Sequence, residues 1–190
     1  DMNFVIAHLG GGISISAHEH GRIIDVITDD AGPFSPERSG SVPILYIVDM
    51  CYSGEYSKSE LKKKLRGMGG LKALLGTFDC REIEKRINAG DEEAKLAYEA
   101  EAYQIAKGIG ELATTMNGNV DEIILTGGVA NSKMLTGMVS ERVKFIAPVH
   151  VMPGENELEA LSLGALRILR GEEEAHTYVE KIQEKEKLYV

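Results

Sequence analysis

The sequence is poor in cysteine, in aromatic residues and in basic charge. Its 190 residues include two cysteines and no tryptophan, and aromatic residues make up 6% of the chain. Cys51 and Cys80 have no CxxC or other ligand-like spacing, so neither a disulfide framework nor a structural zinc site is indicated. Lys and Arg number 21 against 30 Asp and Glu, a formal net charge of -9. This acidic balance argues against a nucleic-acid-binding surface, because neutralising phosphates requires a basic face.

Long apolar segments are also lacking. No uninterrupted apolar run approaches membrane-spanning length, and no basic segment followed by an apolar one opens the chain. The sequence therefore predicts a cytoplasmic protein with no membrane or nucleic-acid partner. The hydrophobic content of 43% is sufficient for the core of one substantial domain. A buried-strand pattern begins already at residue 3, which predicts that a preceding segment is missing or that the gene is split.

Strand and helix patterns alternate along the chain, which predicts an α/β domain with a central sheet. Strands are predicted at residues 3–9, 13–17, 22–27, 122–126 and 149–152. Helices are predicted from about residue 44 and at residues 59–66, 79–88, 92–117, 132–143 and 157–170, with Ser59 as the N-cap of the second one. The helix over 92–117 has the strongest apolar stripe, and its alanines would permit either subunit contacts or an intrachain core.

The first strand ends in a glycine-rich turn, LGGGIS. Gly10, Gly11 and Gly12 allow backbone N–H groups to approach an anion closely, and Ser14 could add a hydroxyl donor. The same pattern also suits a tight hairpin with no ligand, and the two interpretations are equally supported by the turn alone. His8 precedes the turn on the strand, where a lone histidine is more often a hydrogen-bonded core residue than a catalytic group.

A second strand also delivers glycines to the start of a helix, in TGGVANS. A helix N-terminus favours a phosphate or a nucleotide, so residues 127–131 form a candidate binding turn. The alternative is an ordinary strand-to-helix connection capped by Asn131 or Ser132. The turn is neither a Walker loop nor a GxGxxG dinucleotide fingerprint.

A proline-stiffened loop and two acidic positions complete the candidate residues. In GPFSPERSG, two prolines precede Arg38, whose guanidinium could contact a phosphoryl group in a bidentate manner, although a solvated loop arginine is the simpler interpretation. Asp79, with Arg81 two residues later, opens a helix that it could merely cap. Glu155 and Glu157 follow the last strand and could ligate Mg²⁺ or simply place favourable charge at a helix start.

The order of these motifs is far more specific than any one of them. AHLGGGIS, GPFSPERSG, GTFDCR, ILTGGVANS and PGENELEAL, in this order, resemble the butyrate kinase branch of the acetate kinase family. The resemblance runs from about residue 3 to residue 171 and matches only the C-terminal half of such an enzyme. The Asn-x-Gly-Ser/Thr turn of the family's first domain is absent, and so are that domain's arginine and catalytic aspartate.

The resemblance implies a fold and a set of residue roles. The fold would be a single actin-like, ribonuclease H-like domain, related to hexokinase and Hsp70, with a mixed central sheet flanked by helices. Residues 1–171 would form this nucleotide-binding domain and residues 172–190 a charged helical tail. The implied roles are catalysis for His8 and Arg38, phosphate binding for Gly10, Gly11, Gly12 and Ser14, nucleotide binding for Asp79, Arg81, Gly127, Gly128, Val129 and Asn131, and Mg²⁺ binding for Glu155 or Glu157.

The implied reaction is reversible phosphoryl transfer between ATP and a short-chain carboxylate such as butanoate, giving ADP and an acyl phosphate. The implied partners are the fatty acid or acyl phosphate and either a second copy of the chain or a separate N-terminal half. Gly12 stands where acetate kinases carry Asn, which favours the butyrate branch, and Asn156 separates two glutamates that are adjacent in acetate kinases. Two alternatives remain: a non-catalytic nucleotide-binding or dimerisation module of the same fold, and another actin-like kinase or ATPase.

Overall fold

The structure, a computed structural model, describes residues 2–154 and 157–175. It divides into two compact units, Asp1–Glu155 and Asn156–Val190. The first unit contains a five-stranded sheet built from β1 (Phe4–Leu9), β2 (Ile13–Glu19), β3 (Arg22–Ile27), β4 (Glu122–Gly127) and β5 (Val149–Pro153). The helices of this unit are α1 (Ile44–Tyr52), α2 (Lys58–Leu65), α3 (Gly70–Leu75), α4 (Cys80–Asn88), α5 (Glu92–Thr115) and α6 (Lys133–Val143), with a short 3₁₀ helix at Gly128–Asn131.

The sheet is mixed, and its strand order is β3-β2-β1-β4-β5. The first three strands are antiparallel neighbours, whereas β4 pairs in parallel with both β1 and β5. A two-residue turn joins β2 to β3, and its His20 and Gly21 both have positive φ, the type I′ geometry that suits a hairpin. This sheet with flanking helices confirms the predicted fold class.

The core lies between the sheet and α5. Alternate residues of β1 (Val5, Ala7 and Leu9) are fully buried, because side chains of a strand point in turn to opposite faces. The predicted apolar stripe of α5 is confirmed, since its members are all buried: Tyr98, Ala102, Ile105, Ile109, Leu112 and Met116. Ala94, Ala97 and Ala113 belong to the same core, so these three alanines of α5 pack within the chain.

One local prediction was wrong, and one helix was missed. Helix α2 starts at Lys58, and its N-cap is Ser57 instead of Ser59, because Ser57 forms a capping box with Glu60. Helix α3, which begins at Gly70, was not predicted from the sequence. There φ is +59°, and an added Cβ would lie 1.7 Å from the Ser35 carbonyl oxygen, so contact with a distant loop selects glycine at that position.

The second unit contains one described helix, α7 (Glu157–Leu169). The predicted helical tail lies mostly outside the described residues. Within the part of the chain that is described, no helix has the length and apolar character needed to cross a membrane.

Candidate functional site

The glycine turn after β1 forms one wall of an open cavity of about 390 Å³. His8 and Ser14 face each other across the β1–β2 pairing, on either side of the turn. The Gly10 N–H donates to the Gly12 carbonyl at 3.1 Å, which closes the turn. The structure thus brings the predicted histidine, the three glycines and the serine to one cavity, together with three residues that sequence reasoning did not select: Val26, Thr28 and Asp29.

The proline-stiffened loop is bonded to this glycine turn. The Ser35 hydroxyl donates to the Gly11 carbonyl at 2.7 Å, and the Glu37 N–H donates to the same carbonyl at 3.0 Å. These bonds hold the following residue, Arg38, close to the cavity. The Arg38 Nε lies 3.3 Å from Oδ2 of Asp29, the carboxylate that lines the cavity beside the glycines.

A second arginine shares that carboxylate. Arg66, which follows α2, places Nη2 3.1 Å from Asp29 Oδ2 and Nη1 2.9 Å from Asp30 Oδ2. The charges of Asp29 and Asp30 are therefore balanced by Arg38 and Arg66 within one cluster. Sequence reasoning missed Asp29 and Arg66 because 37 residues separate them and no local motif links them.

Five of the six predicted nucleotide-binding residues line a second cavity, of about 650 Å³, and the sixth, Gly127, does not line it. Asp79 and Arg81 form one side of it, and the other side is formed by Gly128, Val129 and Asn131. Four lining residues were not among the predicted ligand contacts: Phe78, Cys80, Glu84 and Ser132. Phe78 is 51% exposed and offers the cavity an aromatic ring.

Asp79 and Arg81 form a local ion pair at the start of α4. Asp79 is the N-cap of the helix and accepts from the Arg81 N–H at 3.0 Å, while Arg81 Nη2 lies 2.7 Å from Asp79 Oδ2. The side-chain hydrogen bond from Arg81 is the main reason that the pKa of Asp79 falls to about 2. Asp79 is therefore ionised at neutral pH, and the capping role is confirmed.

Gly127 is required where β4 turns away from the sheet. Its φ is +94°, and an added Cβ would lie 2.5 Å from the Leu9 carbonyl oxygen on β1. The Asn131 side chain donates to the Gly128 carbonyl at 2.9 Å, and the Ser132 hydroxyl accepts from the Leu135 N–H as the N-cap of α6. Of the two caps expected from the sequence, Ser132 is the one observed.

The two cavities lie beside turns that follow two adjacent strands of the sheet. β1 and β4 pair in parallel, with His8 opposite Thr126, so both glycine turns lie at the carboxyl end of the sheet. In an open α/β sheet this end is where connecting loops provide a ligand-binding crevice. A ligand with a nucleoside and a phosphate chain could extend from one turn to the other.

The remaining predicted groups contribute less to this geometry. Cys51 and Cys80 are both free, and burial raises the pKa of the Cys80 thiol to about 12, which makes it a poor nucleophile. Glu155 lies outside the described residues, and Glu157 is the first residue of α7. Residues 2–154 and 157–175 contain no cluster of three or more histidine, cysteine or carboxylate side chains suited to a metal ion.

Comparisons with known proteins agree with this geometry. The probable butyrate kinase 2 of Caldanaerobacter subterraneus subsp. tengcongensis is 55% identical over 179 residues, which are 94% of this chain and 51% of that protein. The crystal structure of Porphyromonas gingivalis acetate kinase is similar with a TM-score of 0.79 and 26% identity, over 88% of this chain and 49% of that one. A propionate kinase from Francisella tularensis shares the fold, with a TM-score of 0.74 and 24% identity over 83% of this chain and 47% of that one.

This chain thus spans about half the length of this curated relative. The structural likeness confirms the predicted actin-like architecture of the mixed sheet and its flanking helices. The sequence pattern of the Acetokinase family matches residues 1–186. The chain therefore belongs to the acetokinase family.

Proposed function

We propose that this chain is the ATP-side half of a butyrate-type short-chain carboxylate kinase. The observation that carries the proposal is the parallel pairing of β1 and β4, which sets the two glycine turns and their cavities side by side. A nucleotide bound across this edge would have its nucleoside near Asp79 and Asn131 and its phosphates near Gly10 and Gly127. Family membership and the 55% identity to a probable butyrate kinase support the same assignment.

The proposed reaction is a direct displacement at the γ-phosphorus of ATP. A carboxylate oxygen of the acid forms the new P–O bond while the bond to the bridging oxygen of ADP breaks, and its electron pair leaves with ADP. The transferring group is anionic, so rate enhancement depends on positioning and on cationic or hydrogen-bond donors around it. Arg38 is 20% exposed at its side chain and is bonded to Asp29 through Nε. Its Nη1 also lies 3.5 Å from the Glu37 carbonyl oxygen, so Nη2 is the donor that we assign to the phosphoryl group, with His8 assigned to the same group.

Magnesium is expected to accompany the nucleotide, where its charge would neutralise the phosphates. Mg²⁺ usually keeps several waters and takes only one or two protein carboxylates together with substrate phosphates. We assign that role to Glu155 or Glu157.

The substrate, the partner and the domain extent belong to the same proposal. The acceptor would be a short-chain fatty acid, and the reverse reaction would use its acyl phosphate. The protein partner would be either a second copy of the chain or a separate N-terminal half, which would supply the other half of the cleft. Residues 1–171 would serve as the nucleotide-binding domain.

Acyl-phosphate formation tests the proposal directly. The protein, together with the N-terminal half that completes its cleft, is incubated with Mg-ATP and acids from acetate to pentanoate, and the product is trapped as the hydroxamate. We expect turnover to peak at butanoate or its branched analogues. Arg38→Ala should lower turnover by about 100-fold while ADP affinity is kept, since loss of one such donor costs on the order of 3 kcal/mol.

Arg142→Ala is the matched control, because Arg142 is exposed near the end of α6 and lines neither cavity. Its turnover should equal that of the unchanged protein. Full turnover in Arg38→Ala would contradict the role given to Arg38. ADP binding without transfer to any acid would instead favour the non-catalytic nucleotide-binding module.

A further inference from the structure

The cavity of about 650 Å³, which five of the predicted nucleotide-binding residues line, has two walls that come from distant parts of the chain. One wall is the start of α4, around Asp79, and the other is the 3₁₀ helix with Ser132. Within the described residues, no backbone hydrogen bond joins these two walls. Side-chain contacts must therefore fix the distance between them.

Those contacts meet at one carboxylate oxygen. Glu84 Oε1, on α4, lies 3.0 Å from the hydroxyl of Tyr98 and within hydrogen-bond distance of the hydroxyl of Ser132. The Tyr98 hydroxyl also lies 3.1 Å from Ser132 Oγ. Tyr98 is a fully buried residue of α5, so this cluster joins α4, α5 and the N-terminus of α6.

The hydrogen-bond directions make Glu84 the acceptor of the cluster. Ser132 Oγ already accepts from the Leu135 N–H at 2.9 Å, which leaves its own proton to donate to Glu84. Burial raises the pKa of Tyr98, so its hydroxyl keeps its proton and donates as well. Removing Glu84 would leave the hydroxyls of Tyr98 and Ser132 bonded to each other but would take away the group that links both of them to α4 across the cavity.

We propose that Glu84 is a positioning residue that fixes the width of the cavity and thereby favours two-ring over one-ring bases. A planar base held between two walls gains affinity from the apolar area it covers on both of them. A purine covers more area than a pyrimidine, so it loses more when the walls separate. Phe78 and Val129 supply apolar surface, one from each wall. The inference rests on the proposed nucleotide-binding role of this cavity.

Binding measurements test the inference without requiring catalysis. Calorimetry on the unchanged protein and on variants would give dissociation constants for ADP, CDP and inorganic pyrophosphate. Glu84→Ala should weaken ADP binding by about tenfold, the equivalent of one or two lost hydrogen bonds, and should weaken CDP binding less. Pyrophosphate binding at the glycine turns should stay the same. The ratio of ADP to CDP affinity should therefore fall.

Three further variants define the role more closely. Glu84→Gln keeps an acceptor oxygen and should restore ADP affinity to within about twofold. Tyr98→Phe keeps the buried ring, removes the hydroxyl contacts to Glu84 and Ser132, and leaves the Ser132–Glu84 bond in place. Its ratio of ADP to CDP affinity should therefore change in the same direction by a smaller factor, which gives a second test if Glu84→Ala folds poorly. Glu93→Ala removes an exposed carboxylate from the first turn of α5 and should leave all three affinities unchanged.

The outcomes separate this inference from the function on which it rests. Equal losses for ADP, CDP and pyrophosphate would indicate general destabilisation and would overturn it. So would an unchanged ADP-to-CDP ratio in Glu84→Ala, or a Glu84→Gln variant as weak as Glu84→Ala. Any of these results with phosphoryl transfer still observed would leave the proposed function in place. Failure of the unchanged protein to bind ADP would overturn both.

Discussion

Glu101 is a buried carboxylate whose ionisation should make stability depend on pH. It lies on α5 with 0% of its surface exposed, and neither carboxylate oxygen has a hydrogen-bond partner among the described residues. Burial alone raises the pKa of Glu101 from 4.5 to about 8, because the charged form loses its hydration. Two other titratable groups, Cys80 and Tyr98, interact with it electrostatically.

The sign and size of the effect follow from the two pKa values. Below pH 4.5 the carboxyl group is protonated in both the folded and the unfolded chain, and stability is fully present. As pH rises toward about 8, the unfolded chain releases this proton while the folded protein retains it, so stability is lost. The loss is about 1.4 kcal/mol per pH unit and reaches roughly 3 kcal/mol at pH 7.

Glu101→Gln should remove this pH dependence, because the amide has nearly the same shape and does not ionise. We expect its free energy of unfolding to exceed that of the unchanged protein by roughly 3 kcal/mol at pH 7 and by about 1 kcal/mol at pH 5. Urea denaturation at the two pH values gives both differences. Shifts from other groups cancel in the comparison, and Glu93→Gln, at an exposed site, should change stability by less than about 0.5 kcal/mol. A difference that is the same at pH 5 and pH 7 would refute the reasoning.

Three further predictions concern local geometry. Gly127→Ala should lower the free energy of unfolding by about 2 kcal/mol or more, because φ is +94° and the new Cβ would meet Leu9. Gly110 lies inside α5 with open space around it, so Gly110→Ala should raise the free energy of unfolding by about 0.5–1 kcal/mol. Thermal denaturation of the two variants tests this contrast, and equal effects would contradict it. Ser57→Ala should lower the free energy of unfolding by about 1 kcal/mol, because it removes the α2 capping box. Ser59→Ala should change the free energy of unfolding by less than about 0.5 kcal/mol, and denaturant titration measures both values. Arg81→Gln should raise the pKa of Asp79 from about 2 toward its ordinary value, as followed by a carboxyl NMR titration, and an unmoved pKa would show that Arg81 is not its main cause.

Local patterns predicted most of the secondary structure. The strand at residues 22–27 agrees with the structure at both ends, and the helix predicted at residues 92–117 corresponds closely to α5. The capping box of α2 could also have been predicted from the sequence, because Ser57 and Glu60 have the spacing that this motif requires. The choice of Ser59 as the N-cap overlooked that spacing. Helix α3 could not be predicted in this way, because the conformation of Gly70 is selected by a carbonyl 35 residues earlier in the chain.

In the candidate site, too, local motifs could be predicted from the sequence and long-range contacts could not. Its glycine turns could be found because each is a continuous motif after a buried strand. The contacts that surround them could not, because they join residues from separate elements. Asp29 is held by Arg38 and Arg66, while Glu84 is bonded to Tyr98 and Ser132. Only the packing of α2, α4 and α5 brings these partners together, and sequence spacing carries no signal of it.

The position of β1 in the centre of the sheet has a consequence for folding. One edge of β1 pairs with β2 through a short turn, whereas its other edge pairs with β4, and Asn3 bonds to Asp121 across 118 residues. Closing so long a loop is slow, so the β1–β2–β3 hairpins should form early and leave an apolar strand edge open until β4 arrives. The two glycine turns meet only at that last step. The fraction of molecules that bind a ligand across both turns would therefore report the fraction that has completed folding.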